Sequence, residues 1–204
     1  MEPISFQGPI TVVDNISKAE EALDKLFAAK CIGFDTESRP AFFKGQKFPV
    51  SIIQLATNEE AFIFQLKYVR FAGRLVELLS DESIIKVGVG VQDDIRRLNE
   101  LCKFKHGGFF DLSAEMKRKG VVQSGARALT ARYLGRKLVK SSQKTNWSVS
   151  RLTERQLEYA ATDAWICLQL LDYVKNDKTD YRALIAAEQE SGNIIDDADH
   201  HNDE

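Results

Sequence analysis

The stretch CIGFDTE at residues 31–37, followed by VSIIQLAT at 50–57 and EAFIF at 60–64, decides the fold class. Each is a short run rich in β-branched and aromatic residues with polar or turn-forming borders, which predicts three strands. Asn58 and Glu59 separate the second run from the third and predict a hairpin. Upstream, ITVVD (10–14) predicts another strand. Ser17 and Glu20 form an S-x-x-E pattern, which predicts a capping box opening a helix that ends near Ala29. Downstream, a helix near 73–80 leads to a buried strand, IIKVGVG (84–90), and then to a helix over DDIRRLNELC (93–102). Phe109 and Phe110 predict a short strand, with helices near 111–119 and 125–134 after it. Residues 136–152 are basic and polar and read as a loop. Thr153 and Gln156 make a second capping box, followed by Leu157, Ala160, Ala161, Ala164, Leu168 and Leu171 at helical spacing. Strands come first, then alternation, then helices. That order predicts an α/β fold with a mixed central sheet, an antiparallel hairpin and flanking helices.

Composition narrows the class of protein. With 204 residues, 44% of them hydrophobic, the chain is long enough to bury a core without disulfides or a structural metal. Cys31, Cys102 and Cys167 are far apart and form no C-x-x-C, which excludes zinc-finger and thioredoxin-type sites. No apolar run approaches the ~20 residues needed to span a bilayer. The N-terminus lacks the charged and apolar regions of a signal peptide, so a cytoplasmic protein with no membrane association is expected. The net charge of −2 conceals an asymmetry. Seven acids and no Lys or Arg occur from Glu188 onward, which leaves 28 basic and 23 acidic residues before it. A folded domain over 1–187 and a disordered acidic tail over 188–204 are therefore expected.

Three clusters of acids carry chemistry. Asp35 and Glu37 sit two apart in a strand and share one face. Such a pair is costly unless it is solvated or holds a cation, and hard divalent ions accept it readily. In VGVGVQDD (87–94), two glycines close a strand and Asp93 and Asp94 open a helix, where the macrodipole favours negative charge. Either acid suits that capping role, and either suits a site at the strand end. A dinucleotide fingerprint is a poor match, because the third glycine is missing and acids stand where pyrophosphate would bind. No nicotinamide or flavin cofactor is expected. In EYAATDA (158–164), Tyr159 and Asp163 are four apart on one helical face among small alanines. An acid on such a packed face calls for a hydrogen-bond partner or a bound ion.

Taken in order, D-x-E, an acid after G-x-G, and Y-x-x-x-D resemble the DEDD superfamily of 3′–5′ exonucleases in its tyrosine-bearing (DEDDy) branch. GFDTE, IIQLAT, KVGVGVQDDIRRL and LTERQLEYAATDAW are similar to the exonuclease domains of the Werner helicase and ribonuclease D relatives, over about residues 10–175. The resemblance implies a ribonuclease H-like fold and a hydrolase that releases nucleoside 5′-monophosphates from the 3′ end of DNA or RNA. It implies two divalent cations, Mg²⁺ or Mn²⁺, held by Asp35, Glu37, Asp94 and Asp163. Asp35 would bridge both ions, Glu37 and Asp163 would complete the first site, and Asp94 would serve the second through water. Tyr159 would orient the attacking water. The family spacing selects Asp94 over Asp93. No histidine lies near Asp163, so the histidine-bearing branch does not match. Ser38 departs from the aromatic residue that often follows D-x-E in the Werner-like branch.

The expected partner is single-stranded or 3′-recessed nucleic acid. Within RPAFFKGQKF (39–48), Arg39 and Lys44 are suited to phosphates and Phe43 to an unpaired base. Trp147 is suited to stacking near the terminal nucleotide or to packing beneath the last helix. A catalytically silent module of the same fold, binding nucleic acid or a protein, is the alternative reading.

Overall fold

The computed structural model describes residues 1–139 and 142–186. The acidic tail expected over 188–204 lies outside the described residues. The elements run β1 (Pro3–Ile4), β2 (Ile10–Val13), α1 (Ile16–Ala28), β3 (Cys31–Ser38), β4 (Val50–Ala56) and β5 (Ala61–Gln65). Then come α2 (Leu66–Val69), α3 (Arg74–Ser80), β6 (Ile85–Gly88), α4 (Val91–Leu101), β7 (Phe109–Asp111) and α5 (Leu112–Arg118). The described part ends with α6 (Ala126–Leu134), β8 (Lys137–Leu138) and the long α7 (Glu154–Asn176).

Six strands form one mixed sheet in the order β2-β5-β4-β3-β6-β7. The β4–β5 hairpin is antiparallel, as its turn predicted, and β3 pairs antiparallel with β4. The β2–β5, β3–β6 and β6–β7 pairs are parallel. Alternation along β3 divides its side chains between two layers. Ile32 and Phe34 enter a core shared with α1, α3 and α4. Gly33, Asp35 and Glu37 face the other way, toward α7.

The packing of α7 on that face is unusually close. Ala160, Ala161 and Ala164 are fully buried. A Cβ on Gly33 would lie 1.9 Å from the Ala164 carbonyl oxygen, so only glycine admits the helix at this depth. The start of α7 is set by the predicted capping box. Gln156 N donates to Thr153 Oγ1 at 3.3 Å, and Thr153 N donates to Gln156 Oε1 at 3.0 Å.

Two expectations need correction. The cap of α1 is Asn15, whose Oδ1 accepts from Lys18 N at 3.0 Å, while Ser17 lies inside the first turn and bonds Glu21. Asn and Ser cap about equally well. The choice falls to the helix that buries Ala19, Ala22, Leu23 and Leu26, which begins before Ser17. The stretch expected to be loop contains β8, which pairs with β1 in a small parallel sheet. A two-residue strand has no periodicity to read, and its partner is more than 130 residues away.

Gly33→Ala forces a methyl group against the backbone of α7. The expected outcome is a loss of about 2 kcal/mol of unfolding free energy, measured by urea denaturation. An unchanged midpoint would show that α7 can lift off β3 at little cost.

Candidate active site

Close packing of α7 on β3 brings three acids together. Asp35 and Glu37 on β3 and Asp163 on α7 each offer a carboxylate oxygen within 4.8 Å of the others. The ladder between β3 and β4 shifts register between Glu37 and Ser38. The extra residue is Ser51 on β4, and such a bulge bends the strand that carries it beside Glu37. Asp163 is buried, and so is Tyr159 one turn before it. The Tyr159 ring rests against the indole of Trp147, with centroids 5.8 Å apart. Burial, reinforced by the charges of Asp163, Glu37 and Asp35, pushes the Tyr159 phenol well above its ordinary pKa of 10. The hydroxyl therefore remains a neutral donor facing the acids. A compact set of hard oxygen donors suits a hard divalent cation.

Asp94 approaches from the other side of the sheet. Its Oδ1 accepts from the hydroxyl of Thr36, which points away from Asp35 and Glu37. Asp94 lies on the helix that follows β6 and is not one of the three carboxylates mutually within 4.8 Å. Burial pushes its carboxyl up to about 6, against the pull of the Thr36 hydroxyl and the Arg97 charge. Asp93 is turned to solvent, where its Oδ1 accepts from Arg96 Nη2 at 2.5 Å.

The helix start that resembled a phosphate cradle is already occupied by protein. Gly90 N and Val91 N donate to the Asp111 carboxylate at 2.9 and 3.1 Å. The same carboxylate accepts from Ser113 N and Ala114 N at 2.9 and 3.1 Å, capping α5 as well.

The 39–48 loop stands beside Glu37. Between this loop and α4 lies a polar cleft of about 370 Å³ lined by Glu37, Arg39, Lys47, Asp93 and Arg97. Phe42 and Phe43 are 76% and 77% exposed at the loop tip, next to exposed Lys44. The Arg39 guanidinium lies 4.6 Å from the centre of the Phe48 ring. Trp147 is only 1% exposed. Its ring packs against Tyr159, which is the packing role that the sequence offered beside stacking.

A sequence model of the 3′–5′ exonuclease family matches residues 10–178. The chain belongs to the 3′–5′ exonuclease family. It is 32% identical over 179 residues to the mouse bifunctional 3′-5′ exonuclease/ATP-dependent helicase WRN, covering 84% of this chain and 13% of that protein. It is 28% identical over 186 residues to the human exonuclease mut-7 homolog, covering 77% of this chain and 21% of that one. The chain thus spans a small part of the length of these relatives. Among solved structures, the Aedes aegypti Nibbler EXO domain superposes with a TM-score of 0.73 at 22% identity, covering 87% of this chain and 94% of that one. The Trypanosoma brucei RNase D complex with RNA U12 superposes with a TM-score of 0.75 at 24% identity, covering 84% and 64%. These likenesses establish the ribonuclease H-like exonuclease fold. No helix among the described residues is long and apolar enough to cross a membrane.

Two residues of this exonuclease-family site escaped the sequence reading. Asp111 ends a short strand, and no local pattern announces that it caps two helices. Gln54 sits directly opposite Asp35 in the β3–β4 register and is fully buried. Its amide nitrogen and oxygen have no hydrogen-bond partner among the described residues. Its place in an apolar strand was the available signal, since a buried amide there demands an explanation.

Asp111→Ala is expected to lower unfolding free energy by about 2 kcal/mol through the loss of two caps, read from a denaturation midpoint. Gln54→Leu is expected to raise it by about 1 kcal/mol, because an apolar group replaces an unsatisfied amide. A lower midpoint for Gln54→Leu would show that the amide is bonded in solution.

Proposed function

We propose that this chain is a two-metal-ion exonuclease of the DEDDy type. It hydrolyses phosphodiester bonds from the 3′ end of nucleic acid and releases nucleoside 5′-monophosphates. The observation that carries the reading is the convergence of Asp35, Glu37 and Asp163 within 4.8 Å in a member of the 3′–5′ exonuclease family. Acids so close oppose one another's ionisation, and Mg²⁺ or Mn²⁺ relieves that conflict. When bound, two such cations supply a water of lowered pKa and offset the charge that gathers on the attacked phosphate.

The chain's own residues do the holding and orienting. Asp35, Glu37 and Asp163 would hold the first cation, and Asp35 and Asp94 would serve the second. Tyr159 donates a hydrogen bond that aligns the attacking water. Its raised pKa supports that role over one as general base.

The substrate we infer is a single-stranded or 3′-recessed end. The exposed Phe43 offers a stacking face for an unpaired base, and Lys44 and Arg39 offer charge to phosphates. The RNA held by the ribonuclease D structure supports a strand as ligand. We assign the activity to residues 1–187, with 188–204 as an acidic appendage. Three widely spaced cysteines suit a reducing, cytoplasmic compartment. A catalytically silent module that binds nucleic acid or a protein is the second reading.

The test is cleavage of 5′-labelled single-stranded DNA and RNA with Mg²⁺, Mn²⁺ or EDTA. The expected result is a metal-dependent ladder that shortens from the 3′ end and is abolished in Asp35→Ala and Asp163→Ala, with circular dichroism unchanged. Full activity in either variant removes that residue from the mechanism. No shortening by a folded protein that binds Mn²⁺ selects the silent module.

A further inference from the structure

We infer that Arg97 is a positioning residue that holds the Glu37 and Asp94 sides of the site in register, so that its loss weakens cation binding. The inference rests on the cation-dependent reading above and concerns a residue outside the acidic motifs. Two parts of the fold outside α4 meet at its guanidinium. Nη2 donates to Ser38 Oγ at 2.6 Å and to the Phe48 carbonyl oxygen at 2.8 Å. Its charge also acts on Asp94, three residues earlier on α4.

Each contact is placed where it matters. Ser38 directly follows Glu37, across the register shift that ends β3. Phe48 closes the 39–48 loop just before β4. Two further hydrogen bonds of that loop stay within it: Phe42 N to Gln46 Oε1 at 3.2 Å, and Gln46 N to the Phe43 carbonyl at 3.1 Å. They shape the loop but do not anchor it. Arg97 is half-buried, so its two bonds are partly shielded from competing water.

The consequence is geometric. Glu37 directly precedes Ser38 on β3, and α4 carries Asp94. Fixing Ser38 to α4 therefore fixes one acid relative to the other. A serine at position 38 is the small acceptor that the guanidinium requires, which gives a physical role to the departure from an aromatic residue. Groups that orient metal ligands in this way typically affect metal affinity by about 10- to 100-fold.

The experiment titrates Mn²⁺ alone into wild type, Arg97→Met, Arg97→Lys and Ser38→Ala, with binding read by electron paramagnetic resonance. In parallel, anisotropy measures the affinity of a labelled single-stranded oligonucleotide in EDTA. The expected result is a rise of roughly 10-fold or more in the Mn²⁺ dissociation constant of Arg97→Met. Arg97→Lys should restore part of it, and oligonucleotide affinity in EDTA should fall by a smaller factor than Mn²⁺ affinity. Cleavage by Arg97→Met should recover as Mn²⁺ is raised. Should Arg97→Met fail to fold, Ser38→Ala carries the test, with a smaller rise in the same direction. Unchanged Mn²⁺ binding in the folded variants overturns the inference. Weaker oligonucleotide binding with unchanged Mn²⁺ binding overturns it too, and assigns Arg97 to a phosphate contact. Wild type that binds no Mn²⁺ overturns the cation reading itself, a result distinct from wild type and variants that bind alike.

Discussion

The contact between Gly33 and the backbone of Ala164 is the constraint on which the site depends. A hydrogen in place of a side chain at Gly33 lets α7 descend until its carbonyl nearly touches β3. Alanines at 160, 161 and 164 keep the rest of that face shallow. The descent brings Asp163 to Asp35 and Glu37, and lays Tyr159 over them. A larger residue at any of these positions would separate the helix from the strand and the acids from one another.

That closeness has an electrostatic cost. Three carboxylates lie within 4.8 Å of one another, and a fourth is driven up to about 6 by burial. Packing on both sides of the sheet holds them in place: Trp147 and the alanine face of α7 on one, Thr36 and α4 on the other. The rigidity suits a reaction in which charge accumulates on an anion, because a preformed donor set needs no rearrangement when charge develops. The flanking 39–48 loop is built differently. Its Phe42 and Phe43 are left in solvent, and its ends are tied to α4 through Arg97. A fixed acidic floor lies beside a projecting aromatic and basic loop.

Helix starts illustrate how local signals and tertiary demands interact. Thr153 and Gln156 cap α7 as their spacing indicates, because both partners of that box lie within one turn. At α4 the equivalent need is met from a distance by Asp111, which belongs to a neighbouring strand. At α1 two competent caps lay two residues apart, and the buried face of the helix chose between them. Local chemistry thus succeeds where both partners are sequence neighbours and fails where one arrives through the fold.

The sequence by itself determined the elements and the identity of the acids. Period-2 and helical patterns marked the main strands and helices, and D-x-E and Y-x-x-x-D placed each pair on one face by backbone geometry alone. Only the tertiary structure decided which acids meet. Asp163 joins Asp35 and Glu37 because a glycine–alanine contact brings two distant segments together, while Asp94 on α4 accepts a hydrogen bond from Thr36. It also decided that Trp147 is a support within the core, that Gln54 is buried opposite Asp35, and that Arg97 links a helix to the end of a strand. Each of these depends on contacts between residues remote in the chain, and a periodicity of two or of 3.6 residues carries no information about such contacts.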